Sequence, residues 1–149
     1  MTTPDHIANF FLSTSRERGE ILTNLKLQKL LYYAQAWYLA INDTSLFEED
    51  FQAWIHGPVL LSQYHRFSSY EWRPILEEDL PFTELIDVNI IKHLNEILEV
   101  FGVETAVSLE LMTHREDPWL NARVNLAPTD ISQEIISKES MKKFYRTLM

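Results

Sequence analysis

The clearest pattern of apolar and polar positions lies between residues 23 and 41 and predicts a long central helix. Apolar residues recur there at the i, i+3, i+4 spacing of one helix face: Leu27, Leu30, Leu31, Ala34, Trp37, Tyr38 and Ile41. A second stripe beside the first consists of Lys26, Lys29, Tyr33, Ala36 and Ala40. Thr23 is a favourable N-cap, and Leu22 with Leu27 has the spacing of a hydrophobic staple. We expect this helix to be packed from both sides at the centre of the fold.

Further helices are predicted from their start signals and from shorter apolar stripes. They are expected to start close to Thr3, Pro58, Asp87, Val103, Asp117 and Ser137. The predicted buried face of the helix after Asp87 consists of Ile90, Ile91, Leu94, Ile97, Leu98 and Phe101. The next helix is predicted to turn Val107, Leu111 and Met112 inward. In the helix that Asp117 caps, Pro118 takes the first helical position and Trp119 lies just inside.

The segment "FQAWIH" alternates with a period of two and predicts a β-strand. Its two faces are Phe51, Ala53 and Ile55 on one side and Gln52, Trp54 and His56 on the other. A short extended piece is expected again at residues 135–136, and the polar residues 68–85, with their two prolines, are predicted to form a long loop. The predicted fold class is therefore mainly α (α+β). We expect one compact domain over residues 1–149, built around the central helix 23–41 with one small β-hairpin or short strands near residues 51–55.

The composition narrows the class of protein. The 149 residues are 46% hydrophobic and numerous enough to bury a core. There is no cysteine, which excludes disulfides, thiolate zinc sites and a cysteine nucleophile. The N-terminal residues do not have the pattern of a signal peptide, and no apolar run approaches the roughly 20 residues that span a bilayer. We therefore expect a cytoplasmic protein with no membrane segment.

The net charge of −9 is concentrated in the middle of the chain. Residues 71–117 contain twelve acidic residues against Arg73, Lys92 and Arg115, so the remainder of the chain is neutral overall. Such a segment repels phosphates, which disfavours direct binding to nucleic acid. It would suit a basic protein partner, although a solvated acidic face that aids solubility has the same composition.

Two short motifs bring histidine, proline and tryptophan together. They are "WIHGPV" at residues 54–59 and "THREDPW" at residues 113–119. In both, the histidine precedes a predicted helix start, whose unpaired N–H groups favour a neutral imidazole and can bind an anion. If the two motifs meet in space, they form a pocket with two imidazoles and two indoles.

Three interpretations of these histidines are open. His56 or His114 could act as a general base oriented by Glu116 or Asp117, or the two could bind a metal together with Glu116. The chain has no nucleophile elbow, no phosphate-binding loop and no HExxH spacing to support either chemistry. The simplest interpretation is that each histidine hydrogen-bonds to the backbone at its corner. We therefore predict no catalytic residues, no metal site, no cofactor and no enzymatic activity.

Taken in order, three segments resemble a known family. They are "LTNLKLQKLLYYAQAWYLA", "LFEEDFQAWIHGPVLLSQYHRF" and "LELMTHREDPW". Together they are similar to the Panacea domain of SocA-like antitoxins, which is also known from phage-associated proteins of the GepA type. The similarity covers residues 23–123. The positions that carry the family signature or a possible partner contact are Lys26, Gln28, Lys29, Tyr33, Trp37, Trp54, His56, Gly57, Pro58, His114, Pro118 and Trp119, accompanied by Tyr32, Val59 and Thr113.

The resemblance implies an antitoxin of a bacterial or prophage toxin–antitoxin pair. Such a protein would neutralise a cognate toxin, encoded by the adjacent gene, by direct protein–protein binding. The family pairs one domain with toxins of many folds, so the signature is expected to be scaffold and the partner is expected to contact variable parts such as the acidic residues 71–87. Alternatives are a phage-associated module that acts on a host protein and a small histidine-dependent hydrolase. The aromatic content also permits a homodimer.

Overall fold

The computed structural model describes residues 2–149, which form seven α-helices and a three-stranded antiparallel sheet. The helices are α1 (Pro4–Glu17), α2 (Asn24–Asn42), α3 (Leu61–Arg66), α4 (Val88–Phe101), α5 (Ala106–His114), α6 (Asp117–Ala122) and α7 (Lys138–Arg146). The strands are β1 (Phe51–Trp54), β2 (Gly57–Val59) and β3 (Ile135–Ile136). The mainly helical α+β prediction is confirmed. No helix within residues 2–149 is long and apolar enough to cross a membrane.

Helix α2 lies at the centre of the fold, as its two stripes predict. The Thr23 side chain caps it by accepting a hydrogen bond from the Lys26 N–H. The helix packs against α1, α4, α5, α7 and β2. Both predicted stripes are buried except near the C-terminal end, where Ile41 is half exposed. Helix α7 packs on α2, and at the C-terminal end of α2 Arg146 donates a hydrogen bond to the Ala40 carbonyl.

The sheet has the strand order β2-β1-β3, and this differs from the prediction in one important respect. Strand β1 ends at Trp54, and residues 55–56 form a tight turn before β2. Pro58 was predicted to start a helix but lies in β2 opposite Ala53, and α3 begins only at Leu61. The reason is the turn itself, since Gly57 at φ +107° reverses the chain so that the next residues pair with β1. Proline is tolerated there because β2 is an edge strand.

Helices α5 and α6 correct two further expectations. Val107 and Leu111 point to solvent, while Leu109 and Thr113 form the buried face of α5. The inward face is set by the packing of α5 on α2 and β2, which buries the stripe two positions away from Val107 and Leu111. In α6 the cap position is Glu116 rather than Asp117, so Asp117 is already helical.

The segment between α3 and α4 is less irregular than a long loop. A 3₁₀ turn at Ser68–Tyr70 follows α3, and Pro74 pairs with Thr23 in an isolated β-bridge. Ile75 is completely buried, and its N–H donates to the Leu22 carbonyl at 2.8 Å. The first half of this segment is therefore held against the start of α2.

Candidate functional site

The "WIHGPV" motif forms the tip and return strand of the β1–β2 hairpin. Gly57 is required at this tip for two independent reasons. Its φ of +107° is rarely adopted by residues with a side chain. In addition, a Cβ atom at this position would lie 2.7 Å from Lys29 Cε and 2.9 Å from Thr113 Oγ1. The hairpin tip therefore packs directly against α2 and α5, and the two sequence motifs do meet in space.

Lys29 lies beneath this hairpin with its side chain completely buried. Its Nζ donates to the Pro58 carbonyl at 3.1 Å, which holds β2 against α2. Burial lowers the pKa of Lys29 from 10.5 to about 7, and the nearby Glu110 carboxylate opposes that shift. Near neutral pH this amine is therefore partly uncharged.

Gln28 and Asn24 extend the same attachment toward α3. The Gln28 side-chain oxygen accepts from the Leu60 N–H at 2.8 Å, and its amide group donates to Asn24 at 2.9 Å. Asn24 in turn donates to the Tyr64 carbonyl at 3.1 Å. Gln28 was predicted from the motif, whereas Asn24 was missed because nothing in its spacing distinguishes it from an ordinary first-turn residue.

The two motif histidines make different contacts, although both lie close enough to the Glu110 carboxylate to feel its charge. His56 is at the hairpin tip with its side chain 73% exposed, and its Nδ1 lies 3.1 Å from a Glu110 carboxylate oxygen. His114 instead stacks on Trp119, with ring centroids 4.1 Å apart. Burial lowers the pKa of His114, and Glu110 opposes that effect. Its Nε2 is buried, and no hydrogen-bond partner lies within reach among residues 2–149.

Trp119 and Arg123 join the second motif to the sheet. Trp119 Nε1 donates to the Trp54 carbonyl at 2.8 Å, which links the two motifs directly. The buried Arg123 guanidinium lies over the Trp119 ring and donates to the Ala53 carbonyl at 2.8 Å and to the Asp130 carbonyl at 2.5 Å. Arg123 lies just beyond the last motif, so sequence reasoning gave it no role. Its high burial for a charged residue is visible only in the fold.

Glu116 was a candidate for orienting a catalytic histidine, but it binds tyrosines instead. It accepts hydrogen bonds from the Tyr33 hydroxyl at 2.6 Å and from the Tyr145 hydroxyl at 2.9 Å. The Tyr32 hydroxyl lies 3.1 Å from that of Tyr145. Burial raises the pKa of Glu116, while the two tyrosine hydrogen bonds lower it. Asp117 lies in the first turn of α6, and within residues 2–149 neither Glu116 nor Asp117 is hydrogen-bonded to a histidine.

This tyrosine cluster allows a direct test of what Glu116 contributes. Replacing Glu116 by alanine should lower the free energy of unfolding by about 2 kcal/mol, because two buried hydroxyls lose their acceptor. Glu116→Gln is the matched control and should cost much less, since its carbonyl oxygen still accepts while the penalty for burying a carboxylate is removed. Urea unfolding of the two variants measures the difference. Equal losses would show that the hydroxyls find other partners.

The remaining predicted residues lie in separate places. Trp37 packs against Tyr145, with ring centroids 5.4 Å apart. Lys26 donates to Glu20 and to the Gly102 carbonyl, both at 2.7 Å, and so connects α2 to the end of α4. Pro118 is buried in the first turn of α6. Within residues 2–149, no three histidine, aspartate or glutamate side chains lie close enough together to hold a metal ion.

A cavity of about 400 Å³ opens beside the hairpin. Its walls come from the start of α2, from the hairpin, from Tyr64 and from residues 131–133. Trp54 and Tyr64 form an aromatic wall with ring centroids 4.9 Å apart. Lys29 and His56 contribute to the lining, whereas His114 and Trp119 lie outside it. This cavity therefore contains one imidazole and one indole of the pocket predicted from the two motifs.

A family model described as "Antitoxin SocA-like, Panacea domain" matches residues 27–120, which include both motifs and most of α2. The chain is also similar to Antitoxin SocA of Caulobacter vibrioides (strain NA1000 / CB15N), with 27% identity over 124 residues. That alignment covers 76% of this chain and 66% of the relative, just under two thirds of its length. No solved structure matches. The chain belongs to the antitoxin SocA-like, Panacea domain family.

Proposed function

We propose that this protein is an antitoxin that neutralises a cognate toxin by direct protein–protein binding, and that residues 1–149 act as one domain. The observation that carries the proposal is the family match over residues 27–120, the part of the chain that contains the hairpin, α5 and the start of α6. The similarity to a protein named Antitoxin SocA supports it. The alignment spans just under two thirds of that relative, so the proposal does not extend the activity of the whole relative to this chain.

The contacts of the motif residues favour binding over chemistry. Lys29 is buried against the Pro58 carbonyl, and Glu116 accepts from two tyrosines. These side chains hold backbone segments and aromatic rings in place. A surface that is ordered before binding loses little conformational entropy when a partner binds, which favours neutralisation by direct binding.

Co-expression with the product of the adjacent gene tests the proposal. The toxin alone should arrest growth, and the antitoxin should restore it and co-purify with the toxin. The variant His56→Ala tests whether rescue requires the chemistry of this histidine. Its side chain is exposed, so the substitution should not disturb the core. Under the binding proposal it rescues growth like the wild type.

Two outcomes would contradict the proposal. If growth stays arrested and no complex co-purifies, the antitoxin function is wrong. If His56→Ala binds the toxin normally but no longer rescues growth, binding alone does not neutralise the toxin. Capture of a host protein in place of the adjacent gene product would favour the phage-associated module.

A further inference from the structure

An apolar surface lies open to solvent just after the 3₁₀ turn, at the start of the acidic residues 71–117. Trp72 is 80% exposed, and Leu76 is 61% exposed. Leu76 and the half-exposed Ile21 line a groove of about 520 Å³ together with Tyr70 and Pro74. Tryptophan is the residue most enriched at the energetic centres of protein interfaces, so a tryptophan this exposed indicates an interaction site.

The backbone that presents Trp72 is held on both sides. Arg73 donates to the carbonyls of Ser69 and Tyr70, which closes the turn before it. On the other side, Ile75 is buried, its N–H donates to Leu22, and its carbonyl accepts from Arg16. Trp72 therefore projects from an ordered turn, and binding a partner would cost little of the entropy that a mobile loop loses.

The charge beside this surface is negative and unneutralised. Glu77, Glu78 and Asp79 follow Leu76, and none of them forms an ion pair or side-chain hydrogen bond with another residue in the described part of the chain. The Arg73 guanidinium lies 3.6 Å from Glu71, which offsets its charge. The free charge next to the apolar surface therefore complements a positively charged partner.

We propose that Ile21, Trp72 and Leu76, bordered by residues 77–79, form the surface on which the cognate toxin docks. This rests on the proposed antitoxin function and adds the chemistry of the partner. The toxin has an apolar pocket that binds the Trp72 indole. Lysine or arginine side chains at the edge of that pocket lie opposite the three carboxylates. The apolar contact supplies affinity, and the charges accelerate association.

Titration of the purified toxin against variants of this protein tests the assignment. Trp72→Ala should weaken binding by about 30-fold or more, as truncation of a central interface tryptophan does. Val107→Ala is the control, because it truncates another exposed apolar side chain, on α5, and should change affinity less than about twofold. Thermal unfolding of Trp72→Ala should match the wild type, because the side chain is solvated.

The charges give an independent readout by stopped-flow association. Replacing Glu77, Glu78 and Asp79 by lysine should slow association at least about tenfold at low salt and weaken its dependence on ionic strength. The matched control reverses Glu96 and Glu99 on α4, which should leave most of the association rate intact.

The outcomes separate this proposal from the function on which it rests. If the wild type binds the toxin and Trp72→Ala binds equally well, the docking surface is wrong and the antitoxin function stands. If Val107→Ala loses binding instead, the outward face of α5 is the interface. If the wild type does not bind the toxin, both proposals fall. Loss of self-association in Trp72→Ala, without loss of toxin binding, would assign the surface to a second copy of this chain.

Discussion

Replacing Gly57 by alanine is expected to lower the free energy of unfolding by about 3 kcal/mol, the largest loss of stability predicted for a substitution in this chain. Part of the loss is backbone strain, because the residue has φ +107°. The rest is steric, since the new Cβ would lie 2.7 Å from Lys29 Cε and 2.9 Å from Thr113 Oγ1. In a chain of this size, the midpoint of thermal unfolding should fall by about 6–12 °C.

Gly19 provides the matched control for that substitution. It also has a positive φ, +92°, but no atom lies within 4 Å of the position of its Cβ. Gly19→Ala should therefore cost only the strain, about 1 kcal/mol. Equal losses at the two positions would show that Lys29 and Thr113 move aside and that the hairpin is not tightly packed on α2 and α5.

The second large effect is a dependence of stability on pH that originates at Lys29. The pKa of this group is about 7 in the folded protein and 10.5 in the unfolded chain. Between these values the unfolded state binds the additional proton, so stability increases as pH rises. The free energy of unfolding should increase by about 1.4 kcal/mol per pH unit, or about 3 kcal/mol between pH 7.5 and 9.5. Below pH 7 this contribution is lost, because the lysine is then protonated in both states.

Urea unfolding at several pH values measures this slope, and Lys29→Met is the variant to compare. Methionine has a similar length and no titratable group, so the slope should disappear in the variant whatever the change in its absolute stability. Burial raises the pKa of Tyr32 and Tyr33 in the folded state, so ionisation of these tyrosines in the unfolded chain would itself change stability with pH. The measurement therefore stops at pH 9.5, below the ordinary pKa of tyrosine. A slope that persists in Lys29→Met would assign the pH dependence to another group.

The sequence predicted the helices best where a capping residue and a sustained apolar stripe coincide. In α2 and α4 both signals are present, and both helices form as expected. In α5 the more apolar stripe, Val107 and Leu111, is the exposed one. Periodicity identifies an amphipathic helix but not which of two stripes faces the neighbouring elements. That choice depends on tertiary packing, which a single sequence does not contain.

The motif residues were identified from the sequence, but their roles were not. Pro58 resembles a helix start because proline is favoured at the first helical position, yet Gly57 directs the chain into a strand. Glu116 lies close to His114 along the chain, although its carboxylate accepts hydrogen bonds from Tyr33 and Tyr145. Tyr145 is 29 residues further along, so no local spacing could indicate that contact.

The polar side chains that hold this fold together bind mainly to the backbone of other elements. Lys29 donates to the Pro58 carbonyl, Gln28 accepts from the Leu60 N–H, and Arg123 donates to the Ala53 carbonyl. Every residue has a carbonyl, whatever its side chain. The segments held in this way can therefore exchange their outward side chains during evolution without loosening the attachment. A scaffold of this kind can acquire a new recognition surface by ordinary surface substitutions, with its interior unchanged.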